Sequence, residues 1–224
     1  MLALKVTVPI ACFRKGFARE YWETENLPPP STCYGFLLSL VGEPDRRRHI
    51  GARVCPAIRT LTDSQGKTHW PERSAVLRTL WRIKTRKAPP GAGENARPDF
   101  QELLTGVELV VWLESREERV EGPRLENRVA LALEQPGMID RYGGLSLGES
   151  THLVDEVRRL RDTDAGPVHA YLLADEGRLS LPVWVDHVGS AGTRFASGQL
   201  VERDAMDPPD FLKMPVIEPP EYPS

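Results

Sequence analysis

The order of elements in this 224-residue chain predicts an α+β fold of the ferredoxin-like kind, carrying a protruding β-hairpin and a small β-rich carboxy-terminal part. Three observations predict it. The chain opens on a strict period-two strand. Two helical stripes follow, separated by strands with a Pro/Gly-rich excursion between them. The texture then changes after Asp162. The expected division is residues 1–160 for the main domain, with the hairpin over about 74–114, and residues 161–224 for the appendage.

Leu2, Leu4, Val6, Val8 and Ile10 alternate with Ala3, Lys5 and Thr7, which predicts a strand with one buried face. Residues 11–30 read as a polar and aromatic loop ending in three prolines. Ser31 or Thr32 then caps a helix with Cys33, Phe36, Leu37, Leu40 and Val41 on one stripe and Gly42 at its stop. Ile50, Ala52, Val54 and Ile58 predict an extra strand. Ser74 to Lys84 predicts another, with Leu77, Trp81 and Ile83 on its apolar face and Arg78, Arg82 and Lys84 opposite. Residues 85–98 form the excursion, and Val107, Leu109, Val111 and Leu113 return as the partner strand of a long hairpin. Pro123 suits the first turn of a second helix bearing Leu125, Val129 and Leu133, stopped at Pro136-Gly137. A glycine-rich turn, Gly143 to Gly148, leads to an element at 153–160 that reads as strand or short helix. In the appendage, 168–174 and 178–188 read as strands joined by Asp175-Glu176-Gly177. The proline-rich tail from Ala205 should lie extended along a surface.

Charge is distributed unevenly. Residues 46–87 hold twelve Lys/Arg against two acids, inside a chain whose net charge is −3. Such a block marks a polyanion-binding face, with a solvated surface neutralised from elsewhere in the fold as the plainer reading. Three cysteines without a CxxC pair give neither a disulfide framework nor a zinc site and suit a reducing cytosol. No apolar run reaches the ~18–20 residues of a bilayer span, and the start lacks a signal-peptide core, so a cytoplasmic protein with no membrane partner is expected.

Gly144-x-Ser146-x-Gly148 has the spacing of a hydrolase nucleophile elbow. The elbow needs a buried strand running into the serine, and the polar stretch 138–143 before it is no such strand. A turn whose backbone approaches phosphates closely is the better reading. The five histidines show no ligand spacing, so no metal site and no cofactor are expected. His49 and His69, within the basic block, read as surface residues, with acid–base work in RNA cleavage as the alternative. Tyr21, Trp22, Tyr34 and Trp70 lie near basic residues and can stack on unpaired bases, whereas Phe36 and Trp81 follow the core pattern.

Residues 6–43, VTVPIACFRKGFAREYWETENLPPPSTCYGFLLSLVGE, resemble the opening of the CRISPR-associated Cas-five family of the RAMP superfamily. GGLSLGES, residues 143–150, resembles the loop after that family's second helix, and the hairpin matches its thumb in position. The resemblance spans roughly residues 1–160. It implies an RRM-like RAMP fold and a structural subunit that caps the five-prime handle of crRNA in a type I Cascade complex. It also implies contacts with backbone and large subunits, and with target DNA only through the complex. The implied RNA-binding residues are Arg14, Lys15 and Tyr34 near the first turn and helix, Arg46 and Arg47 in the basic block, Arg78, Arg82, Lys84, Arg86 and Lys87 on the thumb, and Gly143, Gly144, Ser146 and Gly148 in the glycine loop. No catalytic residue is expected; the alternative is a metal-independent endoribonuclease that processes pre-crRNA.

Overall fold

The computed structural model describes residues 1–16, 21–81, 96–141, 143–186 and 191–220. The opening alternation forms β1 (Leu2–Ala11), with Leu2, Leu4, Val6 and Val8 buried, while Ile10, expected on the same face, is exposed near the strand's end. After the short β2 (Tyr21–Trp22), α1 spans Pro30–Leu40. The expected Ser31 or Thr32 cap is corrected. Pro30 occupies the first turn, where its missing N–H costs nothing, and the Pro29 carbonyl accepts from the N–H groups of Thr32 and Cys33. At the other end, the Gly42 N–H donates to the Ser39 carbonyl and the Glu43 N–H to that of Leu38, a Schellman pair that needs the positive φ of Gly42. A Cβ on Gly42 would also stand 2.1 Å from the Asp140 carbonyl oxygen. Glycine is required twice over.

β3 (Arg53–Arg59) is buried along both faces apart from its last residue, as suits a central strand. A small hairpin, β4 (Leu61–Thr62) with β5 (Thr68–His69), leads to β6 (Glu72–Trp81) and the long β7 (Ala96–Glu114). Helix α2 (Leu125–Glu134) starts two residues after Pro123, with Arg124 as its N-cap, and buries Leu125, Val129 and Ala132. The element at 153–160 is a strand, β8 (Glu156–Arg159). β9 (Pro167–Leu173), β10 (Leu179–Trp184) and β11 (Arg194–Asp204) complete the chain.

Among the described residues, nine strands form one sheet in the order β10-β11-β9-β3-β7-β1-β8, with β2 and β6 also paired to β7. Its pairings are antiparallel except that of β2 with β7. The molecule is therefore α+β, a mostly antiparallel sheet with two helices. Two expectations change. The strand near 50–59 is not extra: β3 is the neighbour of β7 within the sheet, while β6 pairs with the first half of β7. The two appendage strands do not pair with each other, because β11 lies between them, and β9 bonds to β3, so the sheet is continuous.

Both helices pack on one face, in a core shared with Leu4, Leu109, Leu113 and Val54. The opposite face buries Cys55, Val110 and Trp112 beneath Ala205 and Met214 of the tail. That tail is extended and bonded, as expected: the Ile217 N–H donates to Ala52 at 2.8 Å and the Gly51 N–H to Ile217 at 2.9 Å. No helix among the described residues is long and apolar enough to cross a membrane.

The register defines two ends of the sheet. At the upper end β1 finishes, with Ala11 opposite Leu104; at the lower end it begins, with Leu2 opposite Leu113. Extended chain separates them by about 30 Å. Beyond Leu104, β7 runs on with β6 as a ribbon, from Arg73↔Leu104 to Trp81↔Ala96.

Candidate nucleic-acid interface

Three elements converge at the upper end. The glycine loop folds back on itself, with the Leu147 N–H donating to the His152 carbonyl and the Val154 N–H to that of Leu145, so Ser146 faces Leu153 across an isolated bridge. His152 then ties the loop to the exit of β1, because its Nδ1 accepts from the backbone N–H groups of both Cys12 and Glu149, each at 3.2 Å. Accepting twice leaves the ring proton on Nε2. Burial pushes the His152 pKa down, the Arg78 charge acts in the same direction, and Glu149 opposes them.

Glu149 in turn holds the ribbon. Its carboxylate takes Arg78 Nη1 at 2.6 Å and Gln101 Nε2 at 2.9 Å, while Arg78 also donates to Gln101 Oε1 at 2.7 Å. At the β1 exit, the Arg14 guanidinium lies 4.3 Å above the Trp22 ring and Lys15 pairs with Glu23 at 3.2 Å.

The loop's glycines differ in purpose. Gly148 has φ +103°, and a Cβ there would stand 2.8 Å from the Cys12 carbonyl oxygen, so the fold itself requires it. Gly143 and Gly144 are exposed; an added Cβ meets nothing within 4 Å at the first and Leu153 Cδ2, at 3.3 Å, at the second. Internal packing does not account for those two, although the φ of +76° at Gly143 is itself a turn conformation that favours glycine. Their bare backbone is open to a ligand from outside.

Arg46, Arg47 and Tyr34 are not part of this cluster. Arg46 and Arg47 lead into β3 at the lower end, 4.6 and 6.0 Å from the Trp184 ring, and Arg46 Nη2 donates to the Val185 carbonyl at 2.8 Å. A cavity of about 340 Å³ opens beside them, lined also by Pro44, Asp45 and Asp186. The expectation for Tyr34 is corrected: it is 2% exposed, enclosed by the core, and its hydroxyl donates to the Arg46 carbonyl. It positions a loop and offers no stacking surface.

His49 is likewise no surface residue. It is fully buried, donating from Nδ1 to Glu118 at 2.8 Å while Nε2 accepts from Arg128, which can only donate, at 3.0 Å. Glu118 accepts the Leu125 N–H at 3.0 Å, and Ser115 Oγ accepts the Glu126 N–H at 3.0 Å. This network caps the amino end of α2, which its own N-cap residue does not do.

Much of the basic block is neutralised within the fold, which is the plainer of the two readings of it. Arg48 pairs with Glu43, Arg53 with Glu117, Arg59 with Glu108, Arg73 with Glu102 and Arg78 with Glu149. Arg82, Lys84, Arg86 and Lys87 lie outside the described residues. The residues that sequence reasoning missed are Glu149 and Gln101, which dock the ribbon, and Trp184. Glu149 stands inside the glycine motif as its sole acid; nothing local marks Trp184.

A scan against models of known protein families finds no match. Among characterised proteins, the chain is 51% identical over 219 residues to "CRISPR-associated protein Cas5" of Myxococcus xanthus (strain DK1622), covering 97% of each. Among solved structures, it resembles a chain of a "CRISPR RNA-guided surveillance complex" at TM-score 0.58 and 13% identity, covering 91% of this chain and 90% of that one. A chain described as "Crystal structure of Cas protein" matches at TM-score 0.47 and 16% identity, covering 91% and 94%. The first structural likeness shows a common fold; the identity to the Myxococcus protein, held over nearly the whole length of both chains, shows more. This chain belongs to the CRISPR-associated Cas5 family.

Proposed function

We propose that the chain is a crRNA-binding structural subunit of a type I Cascade surveillance complex. In this reading it caps the five-prime handle of the guide, contacts the backbone and large subunits, and meets target DNA only through the complex. The observation that carries the proposal is the 51% identity to a Cas5 protein over 97% of both chains. Topology supports it: β8-β1-β7-β3 with both helices on one face is the ferredoxin-like order of a RAMP domain, filled by residues 1–160, with 161–224 extending the sheet. The β6–β7 ribbon supports reading this hairpin as a thumb.

Geometry supports the handle's location. Arg14 and Lys15 at the β1 exit, the open Gly143-Gly144 backbone and the ribbon base meet at one end, so a single-stranded polyanion can touch all three. Affinity comes from phosphate contacts and selectivity from splayed bases. A non-catalytic role fits His49 and His152. His49 is sealed between Glu118 and Arg128, and His152 Nδ1 is filled by two backbone donors, so neither offers that nitrogen to a ribose hydroxyl.

Co-expression with the other complex subunits and a CRISPR array tests the reading. The chain should enter one ribonucleoprotein, and omitting it should leave the handle open to added nuclease. A single-turnover assay with excess protein and repeat RNA should show no specific cut, with or without metal. A cut abolished by His152→Ala would replace this reading with the processing endoribonuclease.

A further inference from the structure

The ribbon that leaves the upper end has two chemically different faces. One carries Arg78 and Gln101, both turned onto Glu149 of the glycine loop. On the other, the registers place Tyr21, Phe100 and Leu77 directly abreast on three neighbouring strands: Tyr21↔Phe100 across β2–β7 and Leu77↔Phe100 across β7–β6. Residues abreast in a sheet share a face and stand about 5 Å apart. All three are exposed, at 40%, 54% and 65% of their surfaces. An apolar row this open does nothing for the core, and a ribbon strand could carry polar residues at no cost to stability.

We infer that the Tyr21–Phe100–Leu77 row is a stacking platform for the unpaired bases of a single-stranded RNA. This deepens the proposed function and rests on it. Spacing and charge both argue for this occupant. Aromatic rings abreast on adjacent strands can each take the face of one splayed base, the arrangement by which sheet-borne aromatics hold single-stranded RNA. A cation stands nearby as well: the register puts Arg73 toward the base of the ribbon on the same face. The neighbouring acid, Glu102, is already occupied by Arg73 at 2.7 Å, the Tyr21 hydroxyl at 3.1 Å and the Thr24 N–H at 3.0 Å, which lowers its repulsion of a passing phosphate. Tyr21 is oriented by that same bond, so its ring is held in place before a base arrives.

Stacking and phosphate binding leave different signatures, which makes the inference testable on the full-length protein. The probes are a short oligouridylate RNA and the same sugar–phosphate backbone without bases. Phe100→Ala should weaken oligouridylate binding about tenfold, as expected for loss of one base–aromatic stack, while leaving the slope of log K against log salt unchanged. Phe100→Tyr should restore affinity, and Phe100→Leu, which keeps apolar area without a π-face, should not. The abasic probe should bind wild type and Phe100→Ala equally. If wild type binds oligouridylate and Phe100→Ala binds it as tightly, the platform is wrong and the functional reading stands. If wild type binds neither oligouridylate nor repeat RNA, both fail. If Phe100→Ala keeps RNA but loses a neighbouring subunit in pull-down, the row is a protein-docking surface and the inference is overturned.

Discussion

The two ends of the sheet use the same residue types for opposite purposes. At the lower end, His49, Glu118 and Arg53 are buried, and their hydrogen bonds close onto the amino end of α2, onto Glu117 and onto the tail carbonyl of Met214. Gly51 is there because a Cβ would stand 2.4 Å from the Glu117 carbonyl oxygen. At the upper end, Gly143 and Gly144 are exposed, Arg14 lies exposed above Trp22, and an apolar row is left uncovered. Charge that is enclosed and answered within the chain builds the fold. Charge and bare backbone left accessible at one end are what the proposed RNA contact would use.

The largest expected effect breaks the lower end alone. Glu118→Ala strands buried His49 and the Leu125 N–H at the start of α2, and should cost about 3 kcal/mol in urea unfolding. A loss under about 1 kcal/mol would mean that this network contributes little to the fold.

A second substitution sharpens the contrast from the other side. Replacing Lys84, Arg86 and Lys87 together by Ala should leave stability nearly unchanged, yet reduce the log–log salt slope for repeat RNA by about 0.7 for each phosphate no longer neutralised. A retained slope would remove this segment from the RNA. Gly144→Val should act in the same direction more weakly, lowering RNA affinity by about 1 kcal/mol with a smaller effect on folding, since the neighbour its side chain meets is exposed Leu153. Gly148→Val cannot make that distinction, because it also strikes the Cys12 carbonyl.

The smallest effect is a pH dependence at the upper end. Burial lowers the pKa of His152 below the value near 6.5 of an unfolded histidine. Between those two values the unfolded chain binds more protons than the folded one. Stability therefore falls as pH drops from about 6.5, and the loss levels off below the folded pKa. Protection factors at the Cys12 and Glu149 amides, with exchange normalised to its intrinsic rate at each pH, should fall as pH drops through this window, and His152→Asn should remove the dependence. Protection factors that stay flat with pH in the wild type would show that His152 does not hold the junction.

Much of this fold was readable from one sequence, because hydrophobic period reports burial directly. β1, the Val107–Leu113 stretch of β7 and the core stripe of α1 all lie where alternation or helical spacing placed them. Strand order was harder. The β3 stretch and the β6 stretch look equally strand-like, and only pairing shows that the first is central and the second peripheral; β11, which mixes Gly, Gln, Glu and Arg with few apolar residues, gave no period to read. Among candidate site residues, residue type singled out the glycine loop and the β1 exit, which the structure joins through His152. The burial of Tyr34 and His49 was not legible, since a sequence does not state which polar tips find buried partners. The internal pairing of the basic block was hidden for the same reason: Arg53 and Arg59 reach Glu117 and Glu108 only through the fold.

The most direct test of the central claim compares two double variants, Arg14→Ala/Lys15→Ala at the upper end and Arg46→Ala/Arg47→Ala at the lower. Repeat-RNA binding is measured for each across a salt series. The upper-end variant should bind more weakly, with its log–log slope reduced by about 0.7 for each phosphate it no longer neutralises, while the lower-end variant keeps the wild-type affinity and slope. Loss of slope in the Arg46/Arg47 variant with an unchanged Arg14/Lys15 variant would place the RNA at the opposite end and contradict the account.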